Sequence, residues 1–321
     1  MGKEKDKAAP YDTMTPTFIK QKEGRMRLCS LASGSSGNSV LIQSDHATIL
    51  IDAGYSAKRI ESLLRAVGVH PKTLDAILVT HEHSDHIAGL GVLTRRYHLP
   101  IYANENTWRA MEKKVGRHRD RDHVVFRNKQ PFQIKDMAIL PVPVHHDCAD
   151  PVGYAIRCGE ERIAVLTDTG FVDSYMMNAM RGADIYYLEA NYEDLLLRHG
   201  PYSLWSKKRI ASEVGHLSNR QSGEALCEWL EGRGEQVLLA HMSINNNTEE
   251  CCLHTVSQML TENGFAVGSR VHVCVAPRCA PSGFFSAGTV GGLPKTPQTA
   301  KQDPDILCTS SMPGLVEGAK G

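Results

Sequence analysis

The sequence predicts a layered α/β domain in which two β-sheets face each other and helices cover their outer sides. Short apolar, β-branched runs alternate with amphipathic helical segments between residues 26 and 278. Residues 49–54 and 164–170 are also alike, because each is an apolar strand that ends in Asp and carries a Gly two residues later. A repeat of this kind indicates two similar halves, whose polar strand ends collect along one edge of the domain.

The first half contains the clearest helical pattern of the chain. Residues 57–67 place Ile60, Leu63, Leu64 and Val67 on one face, as an amphipathic helix requires. Asp85 stands where an N-cap is expected for a helix at 87–97. The other expected elements of this half are strands at 26–31, 39–43, 47–52, 75–80 and 101–103, and a helix at 105–115.

The second half repeats the same mixture of elements. Strands are expected at 137–144, 152–157, 162–166, 185–188 and 236–240, and helices near 172–181, 191–198, 204–213, 219–231 and 248–262. Residues 1–25 are charged and lack periodicity, and residues 279–321 are rich in Gly, Pro, Ser and Thr. We therefore expect one folded domain at 26–278 between two disordered tails.

The composition narrows the class of protein. Lys and Arg total 36 and Asp and Glu total 36, so no overall basic field attracts nucleic acid, and any such affinity requires a local patch. The nine cysteines show no C-x-x-C spacing, which indicates reduced thiols rather than a disulfide framework. Neither a secretory signal nor a membrane span is visible, so the expected location is the cytoplasm.

Three imidazoles and a carboxylate lie in the turn between the strand at 75–80 and the next helix. Such a turn can direct His81 and His83 at one point and Asp85 and His86 at a second point close by. Imidazole and carboxylate ligands together suit zinc, manganese or iron, and two cations roughly 3.5–4 Å apart would fit this supply. The alternative is a solvated loop that happens to be rich in His.

Three further candidate ligands follow apolar strands. They are one of His145 and His146, whose side chains alternate in direction, together with Asp168 and His241. Each also has a structural interpretation when taken alone: a strand-end His can bond to a loop, and Asp168 can cap a helix. The turn at 81–86 favours the metal interpretation for all of them.

These residues resemble the metallo-β-lactamase superfamily, whose signature is an H-x-H-x-D-H turn. The resemblance implies an αββα four-layer sandwich, with two mixed β-sheets flanked by helices, and a site for two divalent metal ions. One metal would take His81, His83 and His146, the other Asp85, His86 and His241, with Asp168 bridging both and Asp52 supporting the ligands from behind. Asp85 is also counted among the catalytic residues.

Two stretches resemble the tRNA-3′-processing endonucleases of this superfamily. Residues 188–191 match their Glu-Ala pair, and residues 215–219 match their His-containing loop. The resemblance implies that Glu189 and His216 pass a proton to the leaving oxygen of a phosphodiester. The alternative is that Glu189 caps the helix near 191 and that His216 lies in an ordinary loop.

A tighter resemblance is to the bacterial YycJ/WalJ family. It rests on residues 33–39, 146–154, 200–209, 215–219 and 239–246, and it selects His146 over His145 because the family's His precedes an Asp. It implies a metallo-hydrolase that acts on DNA ends as an exonuclease, with manganese, zinc or iron in the site. The competing function is thioester or lactone hydrolysis at the same metal site, in the manner of glyoxalase II.

Substrate phosphates require polar or basic groups near the metals. The loop 33–39 is either a hairpin loop or an anion cradle, and the basic run 113–121 is most simply a solvated face. The candidate phosphate or substrate ligands are Ser35, Ser36, Asn38, Lys207, Lys208 and Arg209.

Overall fold

The computed structural model describes residues 25–287. Residues 1–24 and 288–321, which make up most of the tails predicted at 1–25 and 279–321, lie outside this range. The described chain forms two seven-stranded sheets. The first sheet contains β1 (Arg27–Ala32), β2 (Ser39–Gln43), β3 (Thr48–Ile51), β4 (Ala76–Leu78), β5 (Ile101–Asn104), β6 (His123–Phe126) and β14 (Phe285–Ser286). The second contains β7 (Phe132–Ile134), β8 (Met137–Pro143), β9 (Val152–Cys158), β10 (Glu161–Leu166), β11 (Ile185–Glu189), β12 (Glu235–Ala240) and β13 (Val271–Val275).

Both sheets are mixed, and they are built to the same plan. In the first, with the order β14-β1-β2-β3-β4-β5-β6, the strands from β3 to β6 are parallel and the others pair antiparallel. In the second, with the order β13-β12-β11-β10-β9-β8-β7, the strands from β10 to β13 are parallel. The carboxyl ends of neighbouring parallel strands meet at one edge of a sheet, which is where the polar strand ends of this sequence lie.

Helices cover the outer face of each sheet. The helices are α1 (Ala57–Ala66), α2 (Ser84–Ile87), α3 (Leu90–Tyr97), α4 (Glu105–Val115), α5 (Ser174–Met180), α6 (Asp194–His199), α7 (Leu204–Ile210), α8 (Asn219–Trp229) and α9 (Glu249–Glu262). One apolar core lies between the sheets, a second lies under α1, α3 and α4, and a third lies under α5, α8 and α9. This arrangement confirms the predicted four-layer sandwich.

Local sequence accounts for the helix boundaries. Ser56 caps α1 by accepting a hydrogen bond from the Arg59 amide, and α1 buries Ile60, Leu63 and Leu64 as its pattern predicts. Ser218 and Gln221 form a reciprocal capping box at the start of α8. No helix in the described range combines the length and hydrophobicity needed to span a bilayer.

The segment predicted as one helix at 87–97 forms two helices, α2 and α3, which meet at Gly89. The Gly89 amide donates to the Ala53 carbonyl, and a β-carbon at Gly89 would lie 2.3 Å from the Tyr55 carbonyl oxygen. His83 is the N-cap residue of α2, and Asp85 lies within its first turn. The prediction that Asp85 caps the helix is therefore wrong, and its carboxylate is left available to the site.

The predicted domain, which ends at residue 278, is too short at its carboxyl end. The chain continues into β14, where Phe285 is buried and pairs antiparallel with Leu28 of β1. The expectation of reduced thiols also fails at one position, because Cys279 is disulfide-bonded, whereas seven other cysteines of the described range are free: Cys29, Cys148, Cys158, Cys227, Cys251, Cys252 and Cys274.

Candidate metal centre and active site

Three imidazoles form the first group of candidate ligands. His81 and His83 follow β4, and the Nε2 atom of His81 lies 3.1 Å from the Nδ1 atom of His83. His146 reaches the same point from the end of β8, with its ring 5.3 Å from that of His81 and 5.1 Å from that of His83. One nitrogen from each of the three rings lies within 4.8 Å of the others, so the three rings could share one cation.

Asp85, His86 and His241 form the second group. The Oδ2 atom of Asp85 lies 3.6 Å from Nε2 of His86 and 3.9 Å from Nε2 of His241, which follows β12. His86 and His241 are buried, whereas Asp85 is partly exposed. The turn at 81–86 therefore contributes residues to both groups of candidate ligands.

Asp168 lies between the two groups, at the end of β10. Its Oδ2 atom is 3.5 Å from Nε2 of His86, and its Oδ1 atom is 3.4 Å from Nε2 of His241 and 3.9 Å from Nε2 of His146. Burial opposes ionisation of this carboxyl, but the neighbouring imidazoles, led by His241 and His86, hold its pKa well below the usual range. Asp168 therefore stays a carboxylate between two sets of nitrogen ligands.

Two polar atoms of this cluster show that the residues fit a cation. Oδ2 of Asp168 and Nε2 of His241 are buried and have no hydrogen-bond partner among the described residues. A buried polar atom without a partner costs roughly 1–3 kcal/mol, and a positive ion would satisfy both of these atoms. The buried His and Asp side chains thus fit the metal site of a metallo-hydrolase.

Asp52 and Thr80 position two candidate ligands, His81 and His86, by contacts with their Nδ1 atoms. Oδ2 of Asp52 lies 2.7 Å from Nδ1 of His86, and Asp52 also accepts hydrogen bonds from the amide and hydroxyl of Thr80. Burial alone would lower the pKa of His86, but the charge and hydrogen bond of Asp52 together with Asp168 raise it to about 9. The contact with Asp52 holds Nδ1 of His86 and leaves Nε2 of the ring on the side of the site.

Glu189 and His216 form a hydrogen-bonded pair beside the cluster. Oε1 of Glu189 lies 2.7 Å from Nδ1 of His216 and 3.1 Å from Nδ1 of His241, and the Thr169 and Leu217 amides both donate to Oε2. Burial would raise the pKa of Glu189, but His216 and His241 lower it. Glu193, and not Glu189, is the N-cap residue of α6, so the capping alternative is wrong.

The comparisons with known proteins agree with this geometry. The model of the beta-lactamase superfamily domain matches residues 47–242. The chain belongs to the beta-lactamase superfamily. Exodeoxyribonuclease YycJ of Bacillus anthracis is 39% identical over 243 residues, which cover 76% of this chain and 92% of that protein. Exodeoxyribonuclease WalJ of Streptococcus pneumoniae is 41% identical over 240 residues, which cover 74% of this chain and 89% of that protein.

Solved structures confirm the superfamily fold. The crystal structure of the metallo-beta-lactamase fold protein YhfI from Bacillus subtilis superposes with a TM-score of 0.65 at 18% identity, and the match covers 83% of this chain and 100% of that one. The predicted superfamily and the predicted relation to the YycJ/WalJ proteins are both confirmed. The chain is a homologue of exodeoxyribonucleases that has a metallo-hydrolase fold and a candidate metal site.

Only some of the predicted phosphate ligands lie in the cleft of this superfamily member. Ser35 and Arg209 line the cleft that contains the metal ligands. Ser36 is exposed and does not line the cleft, and neither do Lys207 and Lys208 of α7. Asn38 is buried, and its amide nitrogen lies 3.0 Å from Nε2 of His86 and 3.3 Å from Oδ2 of Asp85. Asn38 therefore positions ligands in this structure rather than presenting an open anion site.

Arg209 is already engaged at the mouth of the cleft. Its Nε and Nη2 atoms donate to the two carboxylate oxygens of Asp147 at 2.6 and 2.8 Å. Oδ1 of Asp147 lies 3.4 Å from Nε2 of His146. A phosphate that binds Arg209 would have to compete with this bidentate pair.

Two positioning residues were missed by the sequence analysis. Thr80 connects Asp52 to the ring nitrogens of His81 and His86, at 3.0 and 3.2 Å from its hydroxyl oxygen. Asn191 donates to the His241 carbonyl at 2.7 Å. Thr80 directly precedes His81, and Asn191 follows Glu189 by two residues. Their position next to the two motifs is the sequence feature that could have identified them as positioning residues.

Proposed function

We propose that this protein is a metal-dependent phosphodiesterase that digests DNA from its ends. The observation that supports this best is the Glu189–His216 pair, because proton delivery to a leaving alkoxide is what phosphodiester cleavage requires. The exodeoxyribonuclease relatives support the choice of DNA. The cleft is lined largely by polar and charged side chains, whereas a thioester or lactone hydrolase would require an apolar pocket.

We further propose that two divalent cations occupy the site. His81, His83 and His146 would hold one, and Asp85, His86 and His241 would hold the other, with Asp168 shared between them. Nitrogen and carboxylate ligands without a thiolate suit zinc, manganese or iron. Cations at these positions would supply an ionised water at neutral pH and would neutralise charge on the phosphoryl oxygens.

The protein groups divide the remaining tasks. Glu189 is buried and accepts from Nδ1 of His216, so it holds the ring with Nε2 directed away from the carboxylate. The ring lines the same cleft as the metal ligands, so Nε2 delivers a proton to the oxygen that leaves the phosphorus. Glu189 stabilises the imidazolium that donates this proton, because the carboxylate remains ionised.

Hydrolysis of end-labelled substrates tests the proposal. Duplex and single-stranded DNA labelled at either end, matched RNA and a thioester are incubated with the protein after loading with manganese, zinc or iron. We expect DNA to be shortened from an end and His216→Ala to lose about 100-fold or more in rate, since general acid catalysis contributes roughly 10²–10⁴-fold.

His199→Ala is the matched control, because His199 is exposed at the end of α6 and does not line the cleft. Thioester hydrolysis without DNA digestion would overturn the proposal in favour of the competing hydrolase. Digestion of DNA by His216→Ala at the wild-type rate would overturn the role of His216.

We also propose a cytoplasmic location. The seven free cysteines of the described range and the DNA substrate of the proposed reaction support it. Fractionation of cells that produce the protein, with a cytoplasmic marker enzyme as reference, tests this; recovery in the culture medium would contradict it.

A further inference from the structure

Helix α7 borders the active-site cleft but takes no part in the core. None of its residues is buried, although it is capped at its start by Ser203, which accepts from the Ser206 amide. Its far end is tied to the catalytic region, because the His216 amide donates to the Ile210 carbonyl at 2.9 Å. The Gly215 carbonyl also lies 3.1 Å from Nδ1 of His146. Helix α7 is therefore held beside the reacting groups without packing into the fold.

Trp205 is the unusual residue of this helix. Its exposure is 74%, whereas the two other tryptophans of the chain, Trp108 and Trp229, are 2% and 1% exposed. Trp205 lines the same cleft as His216, His241 and Asp168. An indole of this size left in water beside an active site has apolar surface available for a ligand.

Tyr202 supplies a second aromatic ring three residues earlier. It also lines the cleft, and its hydroxyl oxygen accepts a hydrogen bond from Nδ2 of Asn245 at 2.9 Å. Asn245 belongs to the segment that follows His241, so Tyr202 is tied to the metal-ligand region. Among the described residues that line the cleft, Trp205 is the only tryptophan and Tyr202 is the only tyrosine.

The charge beside these rings is positive. Lys207, Lys208 and Arg209 occupy the last turn of α7, two to four residues after Trp205. Arg209 is paired with Asp147, whereas Lys207 and Lys208 lie outside the cleft lining, and Nζ of Lys207 donates to the Arg198 carbonyl at 2.9 Å. The lysines would therefore meet the phosphates of a strand where it leaves the cleft. Exposed aromatic rings next to basic side chains are the combination by which proteins bind single-stranded nucleic acid, since bases stack on the rings and the cations follow the phosphates.

We propose that Trp205 and Tyr202 form a base-stacking subsite that holds the terminal base of the DNA strand being digested. The subsite would place the last phosphodiester over the metal centre and leave the base unpaired on α7. This inference rests on the proposed nuclease function and adds to it how the strand end is recognised. It makes Trp205 a substrate-binding residue that does not take part in proton transfer.

Fluorescence provides the direct test, because Trp205 is the exposed tryptophan. In the full chain, iodide should quench Trp205 emission, and a short single-stranded oligodeoxythymidylate should quench it and then protect it from iodide. The same oligonucleotide made entirely of abasic nucleotides carries the phosphates without the bases, and it should leave the emission unchanged.

Kinetics provides the second test. Removing one base–aromatic stack costs about tenfold or more in affinity, so Trp205→Ala should raise KM for DNA by about that factor, while Trp205→Phe should retain part of the affinity. On DNA whose terminal nucleotides are abasic at both ends, this penalty should disappear. Leu204→Ala is the matched control, because Leu204 is 78% exposed on the same helix and does not line the cleft.

The outcomes separate this inference from the proposed function. If DNA is digested and Trp205→Ala keeps the wild-type KM, the subsite is wrong and the nuclease proposal stands. If no DNA is digested, the nuclease proposal fails, and the fluorescence titration still decides whether bases stack on Trp205. Protection of Trp205 from iodide in the protein alone would show that another part of the chain covers it, and would overturn the subsite.

Discussion

Asp52 and Asp168 reach the two ring nitrogens of the same histidine. Oδ2 of Asp52 lies 2.7 Å from Nδ1 of His86, and Oδ2 of Asp168 lies 3.5 Å from Nε2. Each aspartate directly follows or nearly follows a strand, β3 or β10, and each has a left-handed backbone, with φ of 60° and 58°. This conformation costs a non-glycine residue of the order of 1 kcal/mol or more. Each half of the fold therefore ends a strand in the same strained conformation. The two resulting carboxylates lie on either side of His86.

Asp52→Asn should weaken metal binding without removing a ligand. The amide cannot stabilise the His86 imidazole as a carboxylate does, and loss of such outer contacts typically lowers metal affinity about 10–100-fold. Competition with a chromogenic chelator measures the affinity. Asp45→Asn is the control, since Asp45 is exposed in the loop before β3. Equal affinities for the wild type and Asp52→Asn would exclude the supporting role.

Gly54→Ala should distort the metal-ligand turn. The added β-carbon would lie 1.7 Å from the Asp85 carbonyl oxygen and 2.5 Å from the Asn38 nitrogen, so backbone must move. We expect lower metal content and a loss of stability of about 1–3 kcal/mol or more, as for other overpacked sites. Metal analysis and urea unfolding measure the two effects.

Gly68→Ala is the matched control for this substitution. Its β-carbon would meet no atom within 4 Å, so only the left-handed backbone, with φ of 75°, is penalised. We expect a stability loss of about 1 kcal/mol and full metal content. The same metal loss in both variants would contradict the packing argument.

His146→Ala should remove metal, and His145→Ala should leave the metal content unchanged. His146 is buried among His81, His83 and Asp168. His145 is directed away from them, stacks on Phe171 and lies 2.9 Å from Asp173 through its Nε2 atom. Metal stoichiometry of the two purified variants decides between the adjacent residues. Metal loss confined to His145→Ala would reverse the assignment.

The pair of Arg119 and Asp122 should stabilise the fold in a defined pH range. Hydrogen bonds from Nε and Nη2 of Arg119, at 2.7 and 2.8 Å, lower the pKa of Asp122. A depressed folded-state pKa contributes stability above the unfolded value, about 3.9, and this contribution is lost as the pH falls through the folded pKa. The difference in unfolding free energy between wild type and Asp122→Asn should therefore shrink below about pH 4.

Urea unfolding of both proteins at several pH values measures this difference. Asp120→Asn is the control, because Asp120 is exposed and is not bonded to the Arg119 guanidinium in this structure. A difference that grows as the pH falls would contradict the pairing. The pair also shows that one cation of the basic run at 113–121 serves the fold itself.

The sequence predicts the buried elements of this fold better than its edges. Strands with continuous apolar runs were recognised because burial on both faces leaves an unmistakable pattern. The strands that the sequence does not predict are β6, β7, β13 and β14, which are short or partly exposed, and these four are the edge strands of the two sheets. Of these, β13 alternates Val with His and Cys and was detectable from that pattern.

The candidate ligands were predictable because metal chemistry restricts residue type and spacing. Their backbone conformations were not, since nothing local indicates that Asp52, Asp168 and His241 have positive φ. Asn38 was predicted to bind substrate because it lies in a Gly- and Ser-rich loop. The structure instead folds that loop under Asp85 and His86, a long-range contact that no local pattern encodes.

The short strand β14 covers β1, which would otherwise be an edge strand of the first sheet. Leu28 of β1 pairs with Phe285, and Ser30 exchanges hydrogen bonds with Ser282 at 2.9 and 3.0 Å. A chain shortened to residue 278 would leave one side of β1 with unpaired amides and carbonyls next to newly exposed apolar surface. An unpaired edge strand of this kind can pair with strands of other molecules. Residues 279–287 thus act against self-association, and a soluble recombinant domain should include them.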